Sequence, residues 1–283
     1  MSHERIFNFS AGPAVLPLAV LEQAQRDLVA LPGVGMSVVE ISHRSKVFEE
    51  ICVGAEDDFK QLAGVPDDYQ VLFVQGGATL QFSMLPMNLL PAGGTADYLI
   101  TGVWAEKAVD EAKKIGAVHV VASSKATNHD RIPAQGELAF SPRPAYVHMT
   151  SNNTIFGTQF GYVPELPAGV PLVNDASSDI LCRPVDFSKF ALTYAGAQKN
   201  LSIAGMTVLV IRKDLVGKAP ASTPTYLDYA THAKERSLYN TPPVFAIYML
   251  HLVLRHLLAE GGLQVVADRN QRKAAKLYAA IDG

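Results

Sequence analysis

Lys199 is the first residue of interest, because its surroundings could make it a nucleophile. It follows the small residues Ala195, Gly196 and Ala197 and lies between two apolar runs that predict strands. Partial burial there would disfavour the charged ammonium and leave a free amine able to attack a carbonyl carbon. The alternative is an ordinary lysine in a surface loop, because lysine is seldom buried.

Asp175 is the carboxylate that could work beside that amine. It ends the apolar run 171–175, which lies 24 positions before Lys199 and one predicted strand earlier. A carboxylate there could pair with a pyridinium nitrogen, which pyridoxal phosphate needs in order to withdraw electrons. The alternative is an aspartate that only caps a helix or a turn.

Two further features could bind the remaining parts of such a cofactor. The segment 75–79, which reads Gln-Gly-Gly-Ala-Thr, joins a predicted strand to a predicted helix, where backbone N–H groups can bind a phosphate. Trp104, the only tryptophan, follows another predicted strand and could stack on a planar ring. A tight turn without a ligand and a tryptophan in the core are the respective alternatives.

The hydrophobic pattern predicts the elements that must position these residues. Seven apolar runs predict strands at 71–74, 96–101, 118–121, 145–149, 171–173, 190–195 and 207–211. Helical patterns cover 17–31, 45–63, 78–90, 105–115, 242–260 and 263–281. Strands alternating with helices predict an α/β fold with a mostly parallel sheet of seven strands between helices. Ligands bind at the carboxyl ends of such strands, so the four features would share one site, in the order typical of a pyridoxal-phosphate enzyme of the aspartate aminotransferase fold.

Composition excludes several classes of protein. The chain of 283 residues is 48% hydrophobic and 18% charged, as in globular proteins, and its formal charge of −3 provides no basic field for nucleic acid. Cys52 and Cys182 match no metal-ligand spacing, so we expect no metal site. The longest apolar stretch, 244–259, is short for a membrane span, and no secretory signal is visible. We therefore expect a cytoplasmic protein without a membrane partner.

Dispersed segments of the sequence resemble a known family, the phosphoserine aminotransferases. These are class-V aminotransferases of the pyridoxal-phosphate-dependent fold type I. The resemblance lies in segments 7–13, 40–45, 194–200 and 239–243, and it runs from residue 7 to the end of the chain. It implies a large α/β domain, pyridoxal 5′-phosphate as the cofactor and transaminase activity.

The resemblance also implies roles for individual residues around the cofactor. Lys199 would bind the cofactor covalently and then move the proton between the substrate Cα and the cofactor C4′. Asp175 would keep the ring nitrogen protonated, and Trp104 would stack on the ring. The phosphate would be bound by Ala78 and Thr79 with Gln198 beside them, and Thr154 would contact the ring oxygen or its surroundings.

Other matching positions are implied to serve the substrate and a second subunit. Asn240 and Thr241 would reach the phosphate in the neighbouring subunit, which implies a homodimer with shared sites. Ser10, His43 and Arg44 would contact substrate anions, for which the planar fork of arginine is well suited. Taken alone, His43 and Arg44 could instead belong to a solvated loop.

The activity implied by the resemblance is reversible amino transfer between L-glutamate and 3-phosphohydroxypyruvate. The products are O-phospho-L-serine and 2-oxoglutarate, a step of serine biosynthesis, and the family is also associated with the phosphohydroxythreonine step of pyridoxine biosynthesis. Two alternatives stay open: a cofactor-binding protein with impaired or no activity, and another fold-type I enzyme such as an alanine–glyoxylate aminotransferase or a cysteine desulfurase.

The expected domain organisation differs from that of the family at one end. We expect an N-terminal segment (1–16), a large cofactor-binding domain (17–262) and a connecting helix (263–283). The helix would lead toward the small C-terminal domain, which carries further arginine and histidine contacts in the family and which we expect to be missing from this chain. Ser202 and Ile203 also replace a usual Gly-Pro pair, which could change the backbone path after Lys199.

Overall fold

The structure is a computed structural model that describes residues 5–283. Of the expected N-terminal segment 1–16, residues 1–4 therefore lie outside the described residues. Residues 5–13 are exposed, and the first helix begins at Leu18.

The described residues form nine strands and seven α-helices. The strands are β1 (Tyr69–Gln75), β2 (Thr95–Ile100), β3 (Ala117–Ser123), β4 (Val147–Thr150), β5 (Asn152–Asn153), β6 (Thr158–Gln159), β7 (Leu172–Asp175), β8 (Leu192–Gly196) and β9 (Met206–Arg212). The helices are α1 (Leu18–Val29), α2 (Lys46–Ala63), α3 (Gly77–Leu89), α4 (Val103–Ala112), α5 (Tyr229–Lys234), α6 (Val244–Ala259) and α7 (Leu263–Asp282).

Within residues 5–283, seven of the strands form one sheet in the order β1-β9-β8-β7-β4-β2-β3. The pairs from β8 through β7, β4 and β2 to β3 are parallel, whereas β9 runs antiparallel to both of its neighbours, β8 and β1. β5 and β6 form a separate two-stranded ribbon. The fold is therefore α/β with a mostly parallel sheet, as the sequence predicts.

Helices cover both faces of the sheet and bury its alternating side chains. On one face, α3 and α4 pack over Leu72, Tyr98 and Tyr194. On the other face, α1, α2 and α6 cover Phe73 and Val208, and α6 is apolar almost all round, with nine buried residues. Because both faces are covered, the strands are continuous runs of apolar residues, which is why the pattern identifies them.

All seven predicted sheet strands and all six predicted helices are present, with ends that differ by up to three residues. The helix predicted at 105–115 begins at Val103, directly after Gly102, and ends at Ala112. Two elements were not predicted: the β5–β6 ribbon and α5. Both are too short for hydrophobic periodicity, and α5 is started by Asp228, whose side chain accepts a hydrogen bond from the N–H of Ala230.

Across residues 5–283, no individual helix combines the length and the apolar character that a membrane crossing needs. α6 and α7 meet that criterion only when taken as a pair, with a bend of 87° between them.

Candidate active site

A small cavity of about 120 Å³ lies at the carboxyl ends of the parallel strands. It is lined by Gly77, Ala78, Thr79, Phe82, Trp104, Thr150, Asn152, Thr154, Asp175, Ser177, Ser178, Gln198 and Lys199. These include seven of the predicted cofactor-binding residues. A larger cavity, about 530 Å³, is lined mainly by apolar residues on the opposite face of the sheet and does not gather the predicted chemical groups.

Lys199 projects into this cavity from the turn between β8 and β9. Its Nζ atom donates a hydrogen bond to Thr154 Oγ1 over 2.5 Å and lies 5.6 Å from the centre of the Trp104 ring. Gly12 lies against its stem, since a Cβ atom there would be 3.1 Å from Lys199 Cγ. Burial lowers the pKa of Lys199, and the negative charge of Asp175 only partly opposes this. The amine is therefore easier to deprotonate than that of an exposed lysine.

Asp175 ends β7 and is buried beside the residues that fix its position. Its Oδ1 atom accepts hydrogen bonds from the N–H of Ser177 over 3.0 Å and from Ser177 Oγ over 2.5 Å. Ser177 Oγ in turn accepts from the N–H of Gly196 over 3.0 Å, which ties β7 to β8. Burial raises the pKa of Asp175, while Ser177 and Lys199 act in the opposite direction. The carboxylate is thus fixed in orientation and favours a cationic partner.

The start of α3 forms a cradle that could bind an anion. Gly76 and Gly77 have φ angles of +88° and +64°, a left-handed conformation that glycine adopts without strain. They turn the chain sharply into α3, whose first residues, including Ala78 and Thr79, line the cavity and whose first N–H groups have no side-chain cap. A Cβ atom on Gly196 would lie 3.0 Å from Gln198 Oε1 and 3.4 Å from the backbone nitrogen of Ala78, so glycine keeps this cradle open.

Trp104 forms one wall of the cavity from the first turn of α4. Gly102 permits this placement, because a Cβ atom there would be only 2.6 Å from Asn153 Oδ1, which also accepts a hydrogen bond from Thr101 Oγ1. The Nε1 atom of Trp104 is buried and has no hydrogen-bond partner within the part of the chain that the structure describes. A buried indole N–H of this kind is available to a ligand.

Five other predicted site residues lie outside the cavity. Ser10, Arg44, Asn240 and Thr241 are exposed, and His43 is partly buried. In this single chain none of the five belongs to the lining of the cavity that contains Lys199. The backbone at Thr241 nevertheless contacts the segment that leads into α3. Its carbonyl oxygen accepts a hydrogen bond from the side chain of Gln75, the last residue of β1.

Sequence reasoning missed two contributors to the site. Ser177 was not singled out, although an acidic residue followed two positions later by serine is typical of a local turn in which the serine binds the carboxylate. Gly12 contacts Lys199 from 187 positions away, and no local signal indicates such a contact.

Ser202 and Ile203, which replace the usual Gly-Pro pair after Lys199, are both packed against the helix layer. Ser202 is buried and donates a hydrogen bond to the carbonyl oxygen of Ala246 in α6 over 2.7 Å. Ile203 packs against the cluster formed by α1, α2 and α6. The two residues thus fasten the turn to the helix layer.

The residues of the cavity fit pyridoxal phosphate by their chemistry. An amine of lowered pKa can capture its aldehyde, and a buried carboxylate can pair with its ring nitrogen. Uncapped N–H groups at the start of α3 can bind its phosphate, and the indole of Trp104 can stack on its ring. The Nε1 atom of Trp104, which has no partner among residues 5–283, and the open cradle at Gly196 are consistent with a ligand there.

Comparison with known proteins gives a consistent result over nearly the whole chain. Residues 6–283 match the family described as Aminotransferase class-V. The chain is 56% identical over 277 residues to a phosphoserine aminotransferase of Herpetosiphon aurantiacus, covering 98% of this chain and 77% of that protein.

Solved structures agree with the sequence comparison. The phosphoserine aminotransferase of Bacillus circulans subsp. alkalophilus superposes with a TM-score of 0.95 at 50% identity, covering 98% of this chain and 77% of that chain. The pyridoxal-phosphate-bound phosphoserine aminotransferase of Trichomonas vaginalis gives a TM-score of 0.94 at 39% identity, covering 98% and 82% of the two chains. The chain therefore belongs to the class-V aminotransferases and, among them, to the phosphoserine aminotransferase family.

Proposed function

We propose that this protein transfers an amino group reversibly between L-glutamate and 3-phosphohydroxypyruvate, with pyridoxal 5′-phosphate as its cofactor. The products are O-phospho-L-serine and 2-oxoglutarate. The observation that carries the proposal is the convergence of the Lys199 amine, the Asp175 carboxylate and the Trp104 ring on one cavity. The names of the relatives, identical at about half of the positions, support the choice of substrates.

The proposed cofactor contacts follow from the cavity lining. Ala78, Thr79 and Gln198 hold the phosphate at the start of α3, and Trp104 lies against the ring. Thr154, which accepts a hydrogen bond from Lys199, is the proposed contact of the ring oxygen or its surroundings. When bound, the cofactor supplies an electron sink that makes the Cα proton of the amino acid acidic.

Lys199 is the proposed general base. Its Nζ atom takes the proton from the substrate Cα and returns it at the cofactor C4′ position, a transfer that requires an amine with an accessible neutral form. The lowered pKa of Lys199, caused by burial, supplies that form. Asp175 keeps the ring nitrogen protonated, because a buried carboxylate fixed by Ser177 favours a nearby positive charge.

We further propose a homodimer with shared active sites. Ile6, Phe7 and Phe9 are about nine-tenths exposed, and such a run of large apolar side chains is suited to an interface. Asn240 and Thr241 are exposed and would reach the phosphate site of the partner subunit. Ser10, His43 and Arg44 are the proposed contacts for the substrate anions.

Residues 17–262 are the proposed cofactor-binding domain, and α7 is the proposed connecting helix. α7 is held at its start by Leu263 and Val266, which are buried, whereas its residues from 271 onward are exposed. The proposed compartment is the cytoplasm, because phosphorylated substrates carry charges that a bilayer excludes.

The primary test combines cofactor binding with turnover. The purified protein with pyridoxal phosphate should show a visible absorption band and should convert glutamate and 3-phosphohydroxypyruvate. Lys199→Ala should lose the band and at least about a thousandfold of the rate, as expected when a residue acts as both nucleophile and base. Lys189→Ala, at an exposed lysine, is the control. A band without turnover of these substrates would contradict the proposed reaction and favour the impaired cofactor-binding protein.

Mixed dimers test the shared site. If Thr241 serves the neighbouring subunit, Lys199→Ala and Thr241→Ala chains mixed at random should recover up to about a quarter of the wild-type rate, because each mixed dimer has one intact site. Recovery no greater than the sum of the separate variants would contradict sharing.

A further inference from the structure

Three buried polar side chains lie side by side beneath the cavity, on the neighbouring strands β4, β7 and β8. They are His148, Asp175 and Tyr194, and none is more than 2% exposed. Asp175 and Tyr194 are register partners in the parallel pair β7–β8, whereas His148 on β4 is the register partner of Val173, two residues before Asp175. His148 and Tyr194 are therefore buried on the two strands that flank Asp175, although the transfer reaction described above uses neither.

The hydrogen bond between His148 and Tyr194 determines which nitrogen of the imidazole carries the proton. His148 Nε2 lies 2.9 Å from the Tyr194 hydroxyl oxygen, whereas Nδ1 is buried without a partner among residues 5–283. Burial lowers the pKa of His148 to about 3, so the ring is neutral and has a single N–H group. A hydrogen on Nδ1 would be an unpaired buried donor, which is rare in proteins, so we assign the hydrogen to Nε2.

With that assignment, the Tyr194 hydroxyl accepts from His148 and its own hydrogen is free to bind another acceptor. Asp175 is the register partner of Tyr194 on the neighbouring strand, and we infer that its carboxylate is this acceptor. Burial raises the pKa of Tyr194 well above its ordinary value, and the negative charge of Asp175 acts in the same direction. The phenol thus stays protonated and remains a donor. Tyr98 stacks on the His148 ring at 4.9 Å and holds it in place.

We propose that His148 and Tyr194 are positioning residues that form a chain of hydrogen bonds ending on Asp175, and that this chain keeps the carboxylate ionised opposite the cofactor ring nitrogen. The proposal rests on the role of Asp175 given under Proposed function. Ser177 already supplies two donors to Oδ1 of Asp175 from one side. Tyr194 adds a donor from the interior of the sheet. The carboxylate lone pairs that these donors leave free are then directed toward the cavity.

The tautomer of His148 tests the chain directly and does not require the cofactor. Nitrogen-15 NMR of histidine-labelled protein without cofactor should show a neutral ring with hydrogen on Nε2, and the signal is assigned by its loss in His148→Gln. A ring with hydrogen on Nδ1 would overturn the proposal, because Tyr194 would then donate to His148 rather than to Asp175.

Removal of the Tyr194 hydroxyl tests the effect on Asp175. Tyr194→Phe should weaken pyridoxal phosphate binding by about tenfold, as expected for one hydrogen bond to a charged group. Quenching of Trp104 fluorescence measures this affinity, since Trp104 is the only tryptophan and lines the cavity. The nitrogen-15 shift of ring-labelled cofactor should move toward the value of unprotonated nitrogen.

Tyr146→Phe is the matched control for that experiment. Tyr146 is equally buried, and its hydroxyl lies 2.8 Å from that of Tyr98, so the variant also removes a paired phenol while Asp175 keeps its contacts. It should leave the affinity and the nitrogen shift unchanged. If both phenylalanine variants behave alike, or if Tyr194→Phe leaves the ring nitrogen protonated, the chain has no role at Asp175.

Substitutions of His148 provide a second route should Tyr194→Phe fold poorly. The amide of His148→Gln can still donate and should retain most of the affinity, whereas His148→Leu cannot and should resemble Tyr194→Phe. Equal affinity in both variants would overturn the proposal. If the wild-type protein itself fails to bind pyridoxal phosphate, the proposed function fails, and the tautomer of His148 still decides whether the chain of hydrogen bonds exists.

Discussion

The amine of Lys199 and the hydroxyl of Thr154 form a 2.5 Å hydrogen bond across the cavity. Thr154 lies between β5 and β6, so this contact joins the turn that carries Lys199 to the ribbon on the other side of the cavity. The hydroxyl oxygen accepts a hydrogen from the amine and therefore stabilises its charged form. Thr154 consequently opposes the burial that lowers the pKa of Lys199.

Replacement of Thr154 by valine should make Lys199 more reactive in the protein without cofactor. Loss of the acceptor disfavours the ammonium, so the pKa of Lys199 falls further and acylation at pH 8 becomes several-fold faster. Peptide mass spectrometry after limited acylation measures the rate at this one lysine. Thr154→Ser keeps the hydroxyl and should match the wild type. A slower reaction in Thr154→Val would show that the hydroxyl does not stabilise the charge.

Ser177→Ala should destabilise the protein by about 1–3 kcal/mol, because it removes a buried donor to Asp175 and leaves the N–H of Gly196 without its acceptor. Urea unfolding of the protein without cofactor measures this change. Ser188→Ala is a closely matched control, since Ser188 binds Asp186 through the same two contacts, over 3.0 and 2.6 Å, but on the surface. Equal losses of unfolding free energy in the two variants would show that burial of the Asp175–Ser177 pair does not increase its contribution to stability.

Asp175→Asn should stabilise the protein without cofactor at neutral pH while abolishing its activity. Burial raises the pKa of Asp175 in the folded state, so folding disfavours the ionised carboxylate. Below the pKa of Asp175 in the unfolded chain, this loss of folding stability is absent. It grows as the pH rises from the unfolded pKa to the folded pKa, and it is complete above the folded pKa. Urea unfolding between pH 3 and pH 8 should therefore show a stability gain that grows with pH. If the gain in stability of Asp175→Asn does not change with pH, it does not come from ionisation of the buried Asp175 carboxyl.

Gly12→Ala should slow cofactor capture with little loss of stability. The added Cβ atom would lie 3.1 Å from Cγ and 3.3 Å from Cε of Lys199, so the lysine side chain must move. A displaced amine should react at least about tenfold more slowly, which stopped-flow absorbance measures. Gly136→Ala, where the new Cβ meets no atom of residues 5–283 within 4 Å, is the control. Unchanged capture kinetics in Gly12→Ala would show that the stem of Lys199 tolerates the methyl group.

The elements of the fold could be predicted because each long strand or helix carries its own pattern. β1 and β9 are each seven residues of nearly continuous burial, and α6 is an apolar stretch of sixteen. The order of the strands could not be predicted in the same way. β9 lies between β8 and β1, and that arrangement depends on packing between segments far apart in the sequence.

The same distinction applies to the site. Asp175 and Lys199 stand next to strand ends, so the parallel sheet brings them together with Trp104 and the start of α3. The contact of Gly12 with Lys199 and the pairing of His148 with Tyr194 depend on tertiary neighbours. His148 and Tyr194 also occupy strands whose other residues are mostly apolar, where a single polar residue gives no indication of its partner.

The antiparallel direction of β9 restricts the length of the connection that carries Lys199. Lys199 lies in the connection 197–205, whose two ends are held by paired strands, with Gly196 opposite Thr207 at its base. An insertion or deletion there would shift the reactive nitrogen relative to every other group, and no neighbouring helix could absorb the change. Loops that merely cross between layers tolerate such edits. The length of this connection should therefore be among the least adjustable dimensions of the enzyme.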